Sequence, residues 1–518
     1  MQVQEASSRG RCEHGALAPE LLQLIVQYIA EPTRVFRLLR ALPRRVLGPA
    51  LSSLLALRYT YSACELWPVL HIRFVTPGTI IPLLRDAVPI FQAVQITSPD
   101  FLPTIERIVL PSTKIHIALL LPYEDCFRAG LALCERIASL ELMLFPTTFP
   151  IARVCTFLTY LPDAMERLTL RWSPLMDVRE LDMILDAIVH INCRCLRIVS
   201  AYDPTTACPT SVVLKLATYI ETHPIERLYL EGFQLLCDAS RVLCRALHHC
   251  PTLQKVHFRG ISDVFMTLFV TQPLAGHRFP ASLRCIKLFP LQLNDATMAL
   301  FAQVLATSRL TALNLQLVRL SQDSWQLLWA TLAQLRTLSR LHLDGIQFKD
   351  LLEWNSMVVG LHALPQLQRL RLDVGLTLDG GAVSLVNPVE ASLFHALATT
   401  QGSLTYLALC YVSDLELLAA ALTHMLHLEE LVVDFVSDTA QVTTLLRLLQ
   451  ASPALSRVAF HEHAFSMLDL VSLFQQLVAS NVRWVYLDLF ASETDVDPSR
   501  EYHEVLAIAE HLCQDVPQ

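Results

Sequence analysis

The stretch "LQRLRL", Leu367–Leu372, carries leucine at its first, fourth and sixth positions, and the chain repeats that phrase along most of its length. It returns as "MERLTL" (Met165–Leu170), "IERLYL" (Ile225–Leu230), "LTALNL" (Leu310–Leu315), "LSRLHL" (Leu338–Leu343), "LTYLAL" (Leu404–Leu409) and "LEELVV" (Leu428–Val433). With its looser forms included, the phrase starts at Ile137, Met165, Cys193, Ile225, Leu253, Leu283, Leu310, Leu338, Leu367, Leu404, Leu428, Leu455 and Val482, at spacings of 24 to 37 residues that cluster between 27 and 30. Apolar residues two apart describe a short strand with one buried face. The segment that follows, as in "SQDSWQLLWATLAQL" (Ser321–Leu335), has helical periodicity behind a Ser/Asp start signal. One strand and one helix cannot bury their own apolar faces, so neighbouring units must stack into a continuous core.

This pattern resembles the leucine-rich-repeat family, and the repeat length is similar to that of its ribonuclease-inhibitor subtype. The resemblance implies an α/β leucine-rich-repeat solenoid over residues 137–490, a horseshoe with a parallel sheet inside and helices outside. The family's asparagine, three residues after the last strand leucine, is replaced by Phe233, Ile261, Leu291, Val318, Ile346 and Val412. The turn amides it would satisfy need other partners, and irregular curvature is expected. Weaker phrases at "FQAVQI" (Phe91–Ile96) and "IERIVL" (Ile105–Leu110) open the array within a linker and first irregular repeats, 71–136. A C-terminal capping helix is expected in 491–518, with Tyr502, Val505, Leu506, Ala509 and Leu512 on one face.

Ahead of the array, after a disordered segment 1–14, stands "LAPELLQLIVQYIAEP" (Leu17–Pro32). Pro19 suits the first turn of a helix, and Leu21, Leu22, Ile25, Tyr28 and Ile29 follow at helical spacing. A break at "AEPT" leads to a second helix with Val35, Leu38 and Leu39, and "LWPVLHIRF" follows around Trp67. Residues 15–70 resemble an F-box, as found ahead of leucine-rich repeats. The resemblance implies a Skp-type adaptor of a cullin-RING ubiquitin ligase, seated on Leu17, Pro19, Leu21, Leu22, Ile25, Ile29, Val35, Leu38 and Leu39. After Leu42 the chain departs from the family: "LPRRVLGPAL", with Pro43 and Pro49, stands where a Val-Cys-x-x-Trp segment is usual. A helical cap that only seals the first repeat is the alternative.

Composition narrows the function. The chain has 518 residues, 53% of them hydrophobic, and a mean hydropathy of +0.42. Yet the most apolar window, Leu140 to Leu161, is interrupted by Glu141, Pro146, Pro150 and Arg153, short of the roughly 20 residues a membrane span needs. The N-terminal "MQVQEASSRGRCEHG" lacks the apolar core of a secretion signal. Fourteen scattered cysteines then read as reduced core thiols, and a cytoplasmic or nuclear address is expected. A formal charge of -8 offers no overall attraction to nucleic acid.

Motifs of catalysis are missing. There is no phosphate-binding glycine loop, no Gly-x-Ser-x-Gly elbow, no His-Glu-x-x-His and no Cys-x-x-Cys. Cys193 and Cys195 in "NCRCLRI" and His461 and His463 in "HEHAF" lack a second pair at zinc-site spacing. "HHC" (His248–Cys250) reads as a turn. Neither enzyme chemistry nor a cofactor is expected.

Residues flanking the strand leucines point to the opposite face of the sheet. Arg227, Lys255, Arg340 and Arg369 fall in the first flanking column, with Tyr229, His257, His342 and Arg371 in the second. Asp344, Asp373, Asp434 and Asp488 follow in a third. Arginine and tyrosine dominate protein hot spots, so these eight first- and second-column residues are the candidate grip on a protein substrate, acidic or phosphorylated. Cross-strand ion pairs such as Arg340 with Asp373 are the bland alternative, and the acidic column disfavours nucleic acid. The insertion "DVGLTLDGGAVSLVNPVE", with Gly380 and Gly381, is expected to form a surface loop. These features fit a substrate receptor of a ubiquitin ligase, or a plain repeat scaffold or signalling regulator whose first helices are a cap.

Overall fold

The computed structural model describes residues 18–72, 80–98, 101–120, 124–144, 150–173, 178–200, 208–271, 279–378, 381–383, 387–400, 402–410, 412, 414–434, 452, 454–463 and 484–489. Two compact units make up the chain, Met1–Asp203 and Pro204–Gln518. Each is built from repeating parallel strand and helix units in a solenoid-like α/β arrangement of leucine-rich-repeat type. The expected segments 1–14 and 491–518 lie outside the described residues.

The first unit opens with α1 (Pro19–Gln27), α2 (Pro32–Ala41) and α3 (Arg44–Leu57). Prolines occupy the first turns of α1 and α2, where no amide partner is lost. Pro43 caps α3, and Pro49 sits inside it behind a kink at Gly48. Gly48 has φ 68°, and a Cβ there would meet Pro19 Cβ at 2.9 Å, so the kink lets α1 approach closely. Six strands follow: β1 (Leu70–Ile72), β2 (Ala93–Ile96), β3 (Lys114–Leu120), β4 (Ile137–Leu144), β5 (Ala164–Trp172) and β6 (Asn192–Ser200). They pair in sequence and in parallel, beginning with Leu70 against Val94.

Strand pairing therefore begins at Leu70, well before residue 137. "FQAVQI" contains β2, but "IERIVL" falls mostly in the helix Leu102–Ile108, and the strand of that repeat is the next segment, "KIHIALL". An apolar residue at first and fourth positions satisfies helical spacing as well as the repeat phrase, which is why the phrase misleads there.

In the second unit the strands are β7 (Arg227–Glu231), β8 (Lys255–Arg259), β9 (Cys285–Phe289), β10 (Leu291–Gln292), β11 (Ala312–Gln316), β12 (Val318–Arg319) and β13 (Arg340–Phe348). Then come β14 (Arg369–Leu378), β15 (Gly381–Val383), β16 (Tyr406–Cys410), β17 (Glu430–Asp434), β18 (Arg457–His463) and β19 (Trp484–Leu489). The sheet runs β7-β8-β9-β11-β13-β14-β16-β17-β18-β19, all parallel, while β10 and β12 form a separate short ladder. The insertion is not a plain loop, because β14 turns back antiparallel on β15.

Leucines at the repeat's first, fourth and sixth positions are buried, as at Leu338, Leu341 and Leu343. The helices pack behind them, around Trp325, Phe348 and Trp354. Where the asparagine is missing, the turn amides use the next repeat's backbone. Gly232 N–H donates to Arg259 O at 2.8 Å, Gly260 N–H to Phe289 O at 2.7 Å and Leu317 N–H to Asp344 O at 2.8 Å. All three donors have positive φ, and Leu317 (φ 46°) is the residue there without glycine's freedom. Hydroxyls ahead of the strands form a second ladder: Thr252 to Ile225 O, Ser282 to Leu253 O, Thr337 to Leu310 O and Ser403 to Leu367 O, each 2.7–2.9 Å.

Gly360, inside the helix Leu351–His362, faces the Trp329 ring so closely that a Cβ would overlap it. Alanine is the better helix former by about 1 kcal/mol, but Trp329 is 3% exposed and has nowhere to go. Gly360→Ala should therefore lose about 1–2 kcal/mol net through overpacking, read as a lower melting temperature; an unchanged or higher one would show that the helices slide apart freely.

Candidate partner-binding surfaces

The opening helices divide the expected adaptor contacts in two. Leu22, Val35 and Leu39 are 5%, 0% and 0% exposed, packed with Val26, Phe36 and Leu51 in the module's own core, so they are corrected from contact residues to core residues. Leu21, Ile25 and Tyr28 point outward, joined by Leu24, while Pro19, Ile29 and Leu38 are half-buried. Helical spacing separates them: residues three and four apart share a face, and Leu22 and Val26 took the inner one. Leu17 lies outside the described residues. The module is also tied to the segment just ahead of β2. Trp67 Nε1 donates to Ile29 O at 2.6 Å and packs on Phe91, and Gln27 Nε2 donates to Ile90 O at 2.8 Å.

The other surface is the helix-free face of the sheet in the second unit. Strand register places Arg227 beside Lys255, and Arg340 beside Arg369, with Tyr229 beside His257 and His342 beside Arg371. All eight candidate residues thus share one face, in two groups on β7–β8 and β13–β14. In the first, Lys255 lies over the Tyr229 ring at 5.3 Å and His257 meets that ring edge-on at 5.5 Å. In the second, Arg369 lies over Tyr406 at 4.3 Å. Arg371 donates to Asp434 Oδ2 at 3.3 Å. Arg227, Arg340 and Arg369 are exposed.

The Arg340–Asp373 ion pair that the alternative reading offered does not form. Asp373 instead accepts the Gly345 N–H at 3.1 Å, an amide freed by the left-handed turn at Gly345. Around it lies a polar network that the flanking columns contain but that no motif announces. Asn314 Nδ2 donates to His342 Nδ1 at 2.7 Å, Gln316 Nε2 to Asp344 Oδ2 at 2.7 Å, and Cys410 Sγ to Asp434 Oδ2 at 2.9 Å. Burial and a hydrogen bond with Asp344 push the Asp373 carboxyl up to about 6. Burial, with Arg371 adding to it, pushes the His342 imidazole down to about 4. Asn314 Oδ1, His342 Nε2, Arg371 Nε and Asp434 Oδ1 remain buried without a hydrogen-bond partner.

The Cys193–Cys195 pair and the His248–Cys250 stretch take ordinary structural places. Cys193 donates to Cys195 O at 2.9 Å, and burial pushes its thiol up to about 12. His248 and His249 close the helix Cys237–His249 rather than forming a turn. β18 carries His461 and His463, whose side chains are outside the description, as is that of Asp488. Among the described residues no three His, Cys, Asp or Glu converge as a metal set. No described helix is long and apolar enough to cross a membrane.

The chain matches no family model and no curated protein. Among solved structures it is similar to the leucine-rich repeat-containing protein LegL7 from Legionella pneumophila, at 12% identity and a TM-score of 0.29, over 77% of this chain and 98% of that one.

Asp373 and His342 bias stability in opposite directions. Asp373 holds its proton more tightly folded than unfolded, so its contribution grows as pH falls through about 6. The unfolded imidazole gains a proton near 6.5 that folded His342 refuses, so stability is lost as pH falls through that value. From pH ~7 to ~4.5, Asp373→Asn should lose melting temperature relative to the parent and His342→Asn should gain it. Parallel curves for all three proteins would remove both groups from the pH response.

Proposed function

We propose that this chain is a non-enzymatic receptor: an F-box-like module recruits the Skp-type adaptor of a cullin-RING ubiquitin ligase, and the strand face of the second unit holds the protein to be modified. Its setting would be the cytoplasm or nucleus. A repeat scaffold for protein–protein interaction is the coarser statement, and the fold is consistent with it.

The observation that carries the finer reading is the outer face of α1. The module already has a closed core, yet Leu21, Leu24, Ile25 and Tyr28 are 53%, 52%, 45% and 90% exposed. Three large apolar side chains on nine-residue α1 and a fourth on its C-cap share one exposed face, and a contiguous apolar face of this kind supports an interaction site. Supporting it are the Leu-x-Pro-Glu-Leu start and the break between α1 and α2 that resemble an F-box. The Gln27 hydrogen bond to Ile90 and the packing of Trp67 on Phe91, both beyond the module, favour the second reading, a cap. The two readings are compatible, since the inner face can seal the array while the outer face binds.

The test is a pull-down of recombinant Skp-type adaptor. Leu21→Asp with Ile25→Asp should weaken capture by at least ~2 kcal/mol, about thirtyfold, while circular dichroism and melting stay near parental because neither side chain is in the core. Leu22→Asp, by contrast, should unfold the module by burying an unpaired charge. Undiminished capture, or no capture by the parent, would leave the cap as the module's role.

A further inference from the structure

The strand face carries more cations than it pairs. Arg371 is taken by Asp434, Arg457 by Glu430 and Arg259 by Glu231. Lys255, Lys287 and Arg340 have no carboxylate at ion-pairing distance among the described residues. They come from β8, β9 and β13. In the first flanking column, between Lys255 and Arg340, stand only Cys285 and Ala312. With strands about 4.8 Å apart, two short side chains make a low floor between long flexible arms.

Register places the three cations around that floor: Lys255 and Arg340 at its two ends in the same column, and Lys287 two residues along β9 from Cys285. Burial pushes the Cys285 thiol up, while Lys255, Lys287 and Arg340 each pull it down. Burial, and then Lys255, hold the Lys287 ammonium below the usual lysine range. Arg369 is drawn away onto Tyr406. Lys255 rests on Tyr229, from which its four-carbon stem can turn toward β9. Like charges crowded on a half-buried floor repel, and one anion among them removes that repulsion while gaining charge-assisted hydrogen bonds.

We propose that this floor is an anion subsite, where Lys255, Lys287 and Arg340 together seat one oxyanion, the carboxylate or phosphate ester of a protein segment lying across the strands. The inference rests on the reading of this face as the partner-holding surface. It narrows the eight-residue candidate grip to a span of four strands, β8, β9, β11 and β13, and adds Lys287 to it.

Cys285 is a built-in reporter. The full-length protein is treated with the anionic disulfide dithio-bis-nitrobenzoate or with neutral dithiodipyridine, and each labelled cysteine is quantified by peptide mapping. The Cys285 thiolate attacks one sulfur of the reagent, forming a mixed disulfide and releasing one aryl thiolate. Exposed Cys64 and Cys237 are the internal references. Relative to them, Cys285 should prefer the anionic reagent ~tenfold, as a focused positive field predicts. Lys287→Gln with Arg340→Gln should abolish the preference, and Lys287→Arg should keep it. Inorganic phosphate and acetate should both slow anionic labelling of Cys285; stronger protection by phosphate identifies a phosphate ester, and equal protection a carboxylate. Equal preference at all three cysteines, indifferent to phosphate and acetate, would overturn the subsite. A photocrosslinking residue in place of Arg227 tests the partner-holding face separately: capture there with an indifferent Cys285 sinks the subsite alone.

Discussion

At the entry to eight strands of the second unit, β8, β9, β11, β13, β14, β16, β17 and β18, one carbonyl accepts two successive amides of the following repeat. Glu226 O receives Gln254 and Lys255, Gln254 O receives Arg284 and Cys285, and the same link recurs at Arg284, Thr311, Ser339, Gln368, Thr405 and Glu429. The doubled bond fixes the register before the strand begins. A slip of one residue would turn every buried leucine to solvent and every flanking cation inward. The hydroxyl ladder on Thr252, Ser282, Thr337 and Ser403 reinforces it from the preceding residue.

A fixed register forces the other face into columns, and their polar groups must then satisfy one another locally. Asp373 finds an amide, Asp344 a glutamine, and Asp434 both Arg371 and Cys410. These partners leave four buried polar atoms unbonded, a cost of desolvation that an apolar surface would not carry. Where the acids are consumed internally, the cations to one side of them are left over.

The helical module shows a different economy. It builds its own core around Leu22 and Val26 and also reaches the segment ahead of β2, through Gln27 on Ile90 O and Trp67 on Phe91. Gly48 and Pro49 bend α3 so that this packing closes around Pro19. Gly48 and Pro49 therefore shape the module's fit, while Leu21, Leu24, Ile25 and Tyr28 on the outer face of α1 stay exposed.

The sequence by itself determined the repeat, its period and the face each strand residue takes, because alternation at spacing two is a local property of an extended chain. It also contained the candidate residues on that face. Tertiary structure alone decided which charges pair. The Arg340–Asp373 pair was plausible from register, yet a left-handed turn at Gly345 offers Asp373 an amide instead, and no periodicity encodes that turn's hydrogen bond. It likewise decided that "IERIVL" coils and that Leu22, Val35 and Leu39 belong inside, since an amphipathic pattern names an apolar face without naming what covers it. The short side chains of Cys285 and Ala312 make a floor beside Lys287, a consequence of neighbours nearly thirty residues apart in sequence.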